Sequence, residues 1–144
     1  LGAKLAGKSF RVFTILGDGE IQEGQVWEAA MYASAKGLDN LVAVVDNNGL
    51  QIDGKISEVN SPYPIPEKFR AFGWNVIEID AHSFDEIDAA FNAAAEFKGK
   101  PSVIIANSVK GKGVSFMEDQ AGWHGKAPDA EQTAQAVAEL GGEM

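Results

Sequence analysis

The hydrophobic positions of this sequence form four short apolar runs that are rich in β-branched residues. Each run is bounded by residues that favour turns. Continuous apolar runs of this length are typical of strands that are buried on both faces of a parallel sheet. The sequence therefore predicts four buried strands, at residues 11–16, 41–45, 74–79 and 102–106.

The apolar residues between the first two runs recur at the spacing of a helix. Residues 23–36 carry Val26, Ala30 and Ala33 on one stripe, and Gly37 follows where a helix would end. A stripe of this kind is the face that a surface helix packs against a core, and glycine is the commonest residue just past a helix end. The sequence predicts a helix over residues 23–36.

A second helix is predicted after the third run. Ser83 and Glu86 have the spacing of a capping box, and Gly99 followed by Pro101 ends the pattern. Its apolar positions are Phe84, Ile87, Phe91 and Ala94. The remaining segments are predicted as a loop at residues 49–65, a short helix around residues 66–71 and a final helix that begins after Asp129 and runs to Leu140.

Alternating strands and helices indicate an α/β fold with a doubly wound, mostly parallel sheet and helices on both faces. The 144 residues suit one domain, which we expect to span residues 1–144. Residues 1–7 resemble the last turns of a helix whose beginning is missing, so we expect a domain incomplete at its N-terminus. In such folds ligands bind beyond the carboxyl ends of the strands.

Composition narrows the range of functions. The formal net charge of −9 and the pI near 4.6 disfavour nucleic acid and anionic membranes as partners, because like charges repel. No apolar run reaches the roughly 18 residues of a membrane span, and the start has no signal-peptide pattern. The cytoplasm is therefore the expected location. The absence of cysteine excludes disulfides and a thiolate nucleophile.

Oxygen-bearing side chains follow the first two predicted strands. The first ends in Gly17-Asp18-Gly19, and the second ends in Asp46-Asn47-Asn48-Gly49. Asp18 and Asn48 can therefore share one ion, and a carboxylate with an amide oxygen and a backbone carbonyl suits Mg²⁺. Gly17 and Gly19 allow the backbone to approach a phosphate closely. A cation bridging Asp18 to phosphate would also offset the acidity of the chain.

A purely structural role for these two motifs, as a pair of ordinary turns, is the competing interpretation, since both sequences are common in turns. Two well-known nucleotide-binding motifs lack either their residues or their context here. Gln22 stands where a dinucleotide fingerprint requires glycine. Residues 2–9 (GAKLAGKS) match the letters of a P-loop, but they precede the first predicted strand, whereas a P-loop follows a strand and opens a helix. Classical dinucleotide binding and P-loop binding are therefore disfavoured.

The combined motifs resemble the thiamine-diphosphate signature and, specifically, transketolases. Asn48 follows Asp18 by 30 positions, the spacing of that signature. The resemblance covers essentially the whole chain, and its most specific parts are four segments: residues 17–24 (GDGEIQEG), 46–54 (DNNGLQIDG), 110–116 (KGKGVSF) and 122–128 (GWHGKAP).

The resemblance implies roles for individual residues. Magnesium would be bound by Asp18, Asn48 and the carbonyl of Leu50. The backbone of Gly17 and Gly19 would lie against the diphosphate, together with Asp18, Asn48 and His124, and Ile52 would pack on the thiazolium ring. Glu23 and His124 are the catalytic candidates, Glu23 as part of a carboxylate network at a subunit interface. Without the resemblance, Glu23 is an ordinary first-turn glutamate, and Ile52 a core residue.

Five further residues are expected to have structural roles. His82 precedes a predicted helix and is interpreted as a surface or packing residue. Lys110 and Lys112 follow the fourth strand, where a lysine could contact phosphate, although a solvated loop is the favoured interpretation. Trp123 and Phe116 are expected to pack against protein.

The resemblance also implies an activity. Transketolases use thiamine diphosphate to transfer a two-carbon ketol unit from a ketose phosphate to an aldose phosphate. The glutamate that activates the cofactor belongs to a pyrimidine-binding domain that this sequence lacks, so we expect catalysis only in a homo- or hetero-oligomer that supplies it. The alternatives are a deoxyxylulose-phosphate synthase, a dehydrogenase subunit, and a non-catalytic cofactor-binding or oligomerisation module.

Overall fold

The computed structural model describes residues 1–142 and has a four-stranded parallel sheet at its centre. Its four strands are β1 (Val12–Gly17), β2 (Leu41–Asn47), β5 (Asn75–Asp80) and β6 (Ser102–Asn107), and β3 and β4 form a separate small hairpin at residues 50–55. The spatial order of the strands in the sheet is β1-β2-β6-β5. All three strand pairs are parallel, so the four carboxyl ends lie at one edge of the sheet. The prediction of four parallel strands is confirmed.

Six helices accompany the strands within residues 1–142, and none of them is long and apolar enough to cross a membrane. Single 3₁₀ turns occur at Glu20–Gln22 and Ala121–Trp123. The helices are α1 (Gly2–Leu5), α2 (Gly24–Ala35), α3 (Ile56–Val59), α4 (Ile65–Ala71), α5 (Phe84–Glu96) and α6 (Ala130–Glu139).

The prediction of a loop throughout residues 49–65 is wrong in part. A small antiparallel hairpin of β3 (Leu50–Gln51) and β4 (Gly54–Lys55) is followed directly by α3. Elements of two to four residues are too short to produce a recognisable hydrophobic period. The hairpin matters for function because it follows Asn48 and turns the chain back beside the carboxyl end of β2.

Two hydrophobic cores lie on opposite faces of the sheet. On one face α2 and α4 contribute Ala30 and Phe69, which pack with Val45 and Trp74. On the other face α5 contributes Ala90 and Ala94 to a core around Ile104. Helices therefore cover both faces, and the predicted fold class is confirmed. The sheet between these cores positions the ends of β1 and β2 side by side.

The outer strand β1 departs from the prediction of burial on both faces. Phe13 is 49% exposed and Ile15 is 75% exposed. β1 has a sheet neighbour on one side only, and Phe91 of α5 reaches just the edge of Phe13, with ring centroids 5.8 Å apart. A cleft of about 340 Å³ beside β1 is lined mainly by apolar side chains, among them Leu16 and Val26. Within residues 1–142, β1 is thus only partly covered.

One predicted helix cap differs in the structure, the capping box at the start of α5. The Ser83 hydroxyl accepts a hydrogen bond from the backbone N–H of Glu86, but the Glu86 carboxylate accepts from the N–H of Asp80 instead of returning to Ser83. The predicted capping box at α5 is therefore only half formed. A complete capping box occurs at α6, between Asp129 and Gln132. In both helices the two capping residues are three positions apart. The boxes differ because the Glu86 carboxylate bonds to the backbone N–H of Asp80 and not to that of Ser83.

A partly exposed ion pair links α1 to the loop before β2. The Asp39 carboxylate lies 2.7 Å from the Lys4 ammonium and accepts a hydrogen bond from the N–H of Gly99. Lys4 first, and then Gly99, hold the pKa of Asp39 below its ordinary value of 3.8. A carboxyl group whose pKa is lower in the folded state stabilises the fold above its unfolded pKa, and this contribution is lost as the pH falls through the folded pKa.

We expect Lys4→Met to lower the free energy of unfolding at pH 7 by up to about 1 kcal/mol, since part-exposed ion pairs are weak. The difference from the unsubstituted chain should shrink once the pH falls below 3.8 and through the folded pKa of Asp39. Urea unfolding of both proteins at neutral and acidic pH measures this difference in the free energy of unfolding. Lys55→Met is the control, because Lys55 has no ion-pair partner among residues 1–142. An equal loss at both pH values would contradict the prediction.

Candidate functional site

Asp18 lies at the carboxyl end of β1 and is almost completely buried, with 1% of its surface exposed. Its backbone N–H donates to the carbonyl of Asp46, which continues the pairing of β1 with β2 by one residue. One oxygen of its carboxylate accepts from the N–H of Gly19 at 2.9 Å, and the other accepts from the N–H of Gly49 at 2.6 Å. The side chain of Asp18 therefore joins the ends of the two strands.

Burial raises the pKa of Asp18 above its ordinary value of 3.8. The N–H groups of Gly49 and Gly19 act against this effect by stabilising the ionised carboxylate, while the neighbouring charge of Asp46 adds to it. A buried carboxylate beside a second acid is an environment in which a bound cation favours the ionised form.

The side chain of Asn48 is held from both ends. Its Nδ2 donates to Asp46 Oδ2 at 3.0 Å, and its Oδ1 accepts from the N–H of Leu50 at 3.0 Å. The other oxygen of Asp46 accepts from the hydroxyl of Ser108, which follows β6. Three neighbouring chain segments thus fix the orientation of this one amide.

These groups meet in a cleft of about 440 Å³ beyond the carboxyl ends of β1 and β2. The structure brings seven of the eight predicted site residues to its walls. They are Gly17, Asp18, Gly19, Asn48, Leu50, Ile52 and His124. Ile52 is 72% exposed at the tip of the β3–β4 hairpin, so it is not the core residue that its side chain alone would suggest. The roles of these residues remain predictions.

Glu23 is the one predicted site residue that does not line the cleft. It is exposed and precedes the first residue of α2, and its side chain forms no capping hydrogen bond. A role in a network between subunits would require a second chain, so this role also stays a prediction.

Sequence reasoning did not single out several residues that line the cleft. The Glu20 carboxylate accepts from the N–H of Gly17 at 3.0 Å. Lys110, for which a solvated loop was the favoured interpretation, also lies on the wall of the cleft. A Cβ atom at Gly19 would lie 3.0 Å from Cβ of Gln51, a tight contact that Gln51 would have to relieve by a small shift. The remaining unassigned residues of the wall are Asp46, Gln51 and Asp53.

His124 reaches the cleft from the chain segment after β6. It follows the 3₁₀ turn at Ala121–Trp123, and that turn is anchored because Trp123 Nε1 donates to the carbonyl of Phe116 at 2.8 Å. The rings of Trp123 and Phe116 pack edge to face at 5.3 Å, as expected for packing residues. Lys126 lies over the Trp123 ring at 4.4 Å. The aromatic pair thus supports the segment that carries His124.

His82 has a structural contact outside the cleft. Its Nε2 accepts a hydrogen bond from the N–H of Val109 at 2.9 Å, which ties the end of β5 to the chain after β6. This agrees with the packing role expected for His82.

The donor atoms of the cleft fit a hard divalent cation. Within residues 1–142 no group of three or more His, Cys, Asp or Glu side chains could hold a metal, so a carboxylate-rich or zinc-like site is not formed there. Asp18, Asn48 and Leu50 line the cleft and would provide three different oxygens, the one from Leu50 being its backbone carbonyl. Asn48 Oδ1 keeps a second lone pair beside its bond to Leu50. Mg²⁺ accepts such a partial set when phosphate oxygens and water complete its octahedron.

A parallel sheet with a polar cleft beyond the carboxyl ends of its strands is the arrangement of ligand-binding α/β proteins. Comparison with known proteins identifies the family. Residues 6–144 match the family model described as transketolase, thiamine diphosphate binding domain. The chain therefore belongs to the thiamine diphosphate-binding domain family of transketolases, as the sequence motifs predicted.

Two relatives and one solved structure illustrate the similarity. The chain is 49% identical over 129 residues to the 6-deoxy-6-sulfo-D-fructose transketolase subunit SqwG of Clostridium sp. strain MSTE9, covering 90% of this chain and 47% of that protein. It is 40% identical over 140 residues to one subunit of the apulose-4-phosphate transketolase of Phocaeicola vulgatus, covering 97% and 50%. The transketolase structure from Campylobacter jejuni superposes with a TM-score of 0.87 at 29% identity, covering 94% of this chain and 21% of that one. The chain thus spans about half the length of the two relatives.

Proposed function

We propose that this chain is the part of a transketolase that anchors Mg²⁺ and the diphosphate of thiamine diphosphate. Asp18, Asn48 and the Leu50 carbonyl would hold the metal ion. The observation that carries the proposal is the buried Asp18 carboxylate, which faces the same cleft as Asn48 and Leu50 at the ends of two adjacent parallel strands. When bound, the cofactor supplies the electron sink that ketol transfer requires.

The other walls of the cleft suit the rest of the cofactor. Gly17 and Gly19 offer backbone without side chains beside Asp18, where a diphosphate can approach closely. Lys110 and His124 are the basic side chains of the wall and would face the anionic end of the ligand. Ile52 offers an exposed, branched apolar side chain that would pack on the thiazolium ring.

Electrostatics explains why a metal ion would be needed. Asp18, Glu20, Asp46 and Asp53 line the cleft beside a single lysine and one histidine, and the whole chain carries a formal charge of −9. A diphosphate brought to this cleft alone would be repelled by the carboxylates. A divalent cation held by Asp18 would supply positive charge to the cleft and would replace this repulsion by attraction.

Exposed residues around the cleft and on β1 favour an enzyme that is assembled from more than one domain or subunit. Ile52, on the wall of the cleft, is largely exposed, and so is Glu23 just before α2. On β1, the exposed side chains of Phe13 and Ile15 leave an apolar surface uncovered. We infer that residues 1–144 form one cofactor-binding domain that works in a homo- or hetero-oligomer with a pyrimidine-binding domain or subunit, in the cytoplasm. Two relatives are themselves named transketolase subunits, which supports a divided enzyme. Glu23 would then contribute at the interface.

The test is an activity assay of the chain with and without a pyrimidine-binding transketolase chain. Xylulose 5-phosphate with ribose 5-phosphate should give no turnover with the isolated chain and measurable ketol transfer with the partner. Turnover by the isolated chain would refute the partner requirement. Because the relatives are named for 6-deoxy-6-sulfo-D-fructose and apulose 4-phosphate, these two compounds belong in the donor screen.

Two alternatives are separated by related measurements. A deoxyxylulose-phosphate synthase or a dehydrogenase subunit would prefer another acceptor, so an acceptor screen distinguishes them from a transketolase. A non-catalytic interaction module would give no heat of binding when thiamine diphosphate and Mg²⁺ are titrated into it by calorimetry.

A further inference from the structure

We propose that Asp46 is a positioning residue that fixes the amide of Asn48 with its oxygen toward the metal ion. The inference rests on the proposed function, in which Asn48 is a ligand and Asp46 is not. Asp46 Oδ2 accepts a hydrogen bond from Asn48 Nδ2 at 3.0 Å. Asp46 lies on β2, where its backbone carbonyl also accepts from the N–H of Asp18. It therefore contacts both residues that would supply side-chain ligands to the metal.

The orientation of Asn48 matters because its two terminal atoms have opposite chemistry. The oxygen can bind a cation, whereas the NH₂ group only donates hydrogen bonds and would repel it. The N–H of Leu50 can bond only to the oxygen, and the carboxylate of Asp46 can bond only to the NH₂ group. Leu50 and Asp46 thus favour the same orientation of the Asn48 amide, with Oδ1 toward the N–H of Leu50 and Nδ2 toward Asp46. The metal site is preorganised when the ion arrives.

Asp46 is itself held by a residue outside the proposed ligand set. Its second oxygen accepts from the hydroxyl of Ser108, and the N–H of Ser108 donates to the carbonyl of Asn47 at 3.1 Å. Ser108 follows β6, the strand that pairs with β2 on the side away from β1. A chain of contacts therefore runs from β6 through Ser108 and Asp46 to Asn48. Residues that hold a metal ligand in place in this way raise the affinity of the site for its metal ion.

Two effects of Asp46, its charge and its hydrogen bond, can be separated by substitution. In Asp46→Asn the remaining oxygen can still accept from Asn48, because the new NH₂ group can donate to the Ser108 hydroxyl, which both donates and accepts. Asp46→Ala removes the charge and the acceptor together. Asp53→Asn removes a charge from the same cleft at a residue with no hydrogen bond to Asn48, and it serves as the charge control.

The experiment measures Mg²⁺ affinity by calorimetry in the presence of thiamine diphosphate. Asp46→Ala should weaken binding by about 10- to 100-fold, the range seen when supporting residues of metal ligands are lost. Asp46→Asn should weaken it only as much as Asp53→Asn does. In the metal-free protein, the side-chain NH₂ signal of Asn48 should shift and exchange faster in Asp46→Ala than in Asp46→Asn. This NMR readout is independent of activity.

Each result has a defined meaning. If Asp46→Ala and Asp46→Asn bind Mg²⁺ equally well, the positioning role is overturned while the proposed function stands. If the unsubstituted protein binds no Mg²⁺ with thiamine diphosphate, the proposed function itself fails. Should Asp46→Ala not fold, Ser108→Ala replaces it and should weaken binding in the same direction. Ser115→Ala, which removes a remote hydroxyl–carboxylate bond to Glu139, is its matched control, and equal affinities of these two variants would overturn the proposal.

Discussion

Replacing Asp18 by alanine is expected to weaken the binding of thiamine diphosphate in the presence of Mg²⁺ by roughly 100-fold or more. Loss of residues that only support metal ligands costs up to about 100-fold, and Asp18 is the proposed carboxylate ligand itself. The variant should also show little dependence on Mg²⁺, because the cation would lose the charge that holds it. Calorimetry with and without Mg²⁺ measures both effects.

Asp53→Ala is the matched control for this loss. Asp53 lines the same cleft, but it is not a proposed ligand and lies at the tip of the hairpin. Its removal should leave the dependence on Mg²⁺ intact. Retention of full, Mg²⁺-dependent affinity in Asp18→Ala would refute the proposed metal site. Circular dichroism of the variant distinguishes a lost ligand from a lost fold, since Asp18 also joins β1 to the turn after β2.

The second large effect is expected for Phe69→Ala, which should lower the free energy of unfolding by about 3–5 kcal/mol. Phe69 is 1% exposed, and its ring lies 5.2 Å from Trp27 and 5.3 Å from Trp74. Truncation would leave a cavity between α2, α4 and the sheet. Because small domains have a total stability of about 5–15 kcal/mol, the variant should be close to unfolding. Guanidinium unfolding followed by tryptophan fluorescence measures the loss.

Phe84→Ala provides a control with the same chemical change. Phe84 is the first residue of α5 and is 88% exposed, so its removal should change the free energy of unfolding by less than about 0.5 kcal/mol. A similar loss for both variants would mean that the core around Phe69 is not packed as described.

The sequence was most informative about the long elements. The β-branched runs predicted β2 and β6 well, because these central strands have neighbours on both sides and cores on both faces. The same reasoning misjudged β1, since its exposure depends on what lies beside it and not on its own residues. Phe84 was counted with the apolar face of α5 for a similar reason. Its position at the helix start leaves it beyond the edge of the core.

The sequence predicted those parts of the candidate site in which a polar residue directly follows a predicted strand. Asp18 and Asn48 follow adjacent parallel strands, so topology alone brings them to one edge of the sheet. Asp46 belongs to the same motif, but its contact with Ser108 crosses 62 positions and leaves no local signal. Lys110 gave an ambiguous signal, because a lysine after a strand is equally typical of a solvated loop. Only the path of the chain after β6 brings it to the cleft.

The central claim is that Asp18, Asn48 and the Leu50 carbonyl bind a metal ion that also binds a diphosphate. A crystal structure of the protein grown with thiamine diphosphate and Mn²⁺, in place of Mg²⁺, tests it most directly, because manganese is located by its anomalous scattering. We predict one anomalous peak in contact with these three oxygens and with the diphosphate. A diphosphate bound elsewhere, or a manganese peak away from Asp18 and Asn48, would contradict the claim.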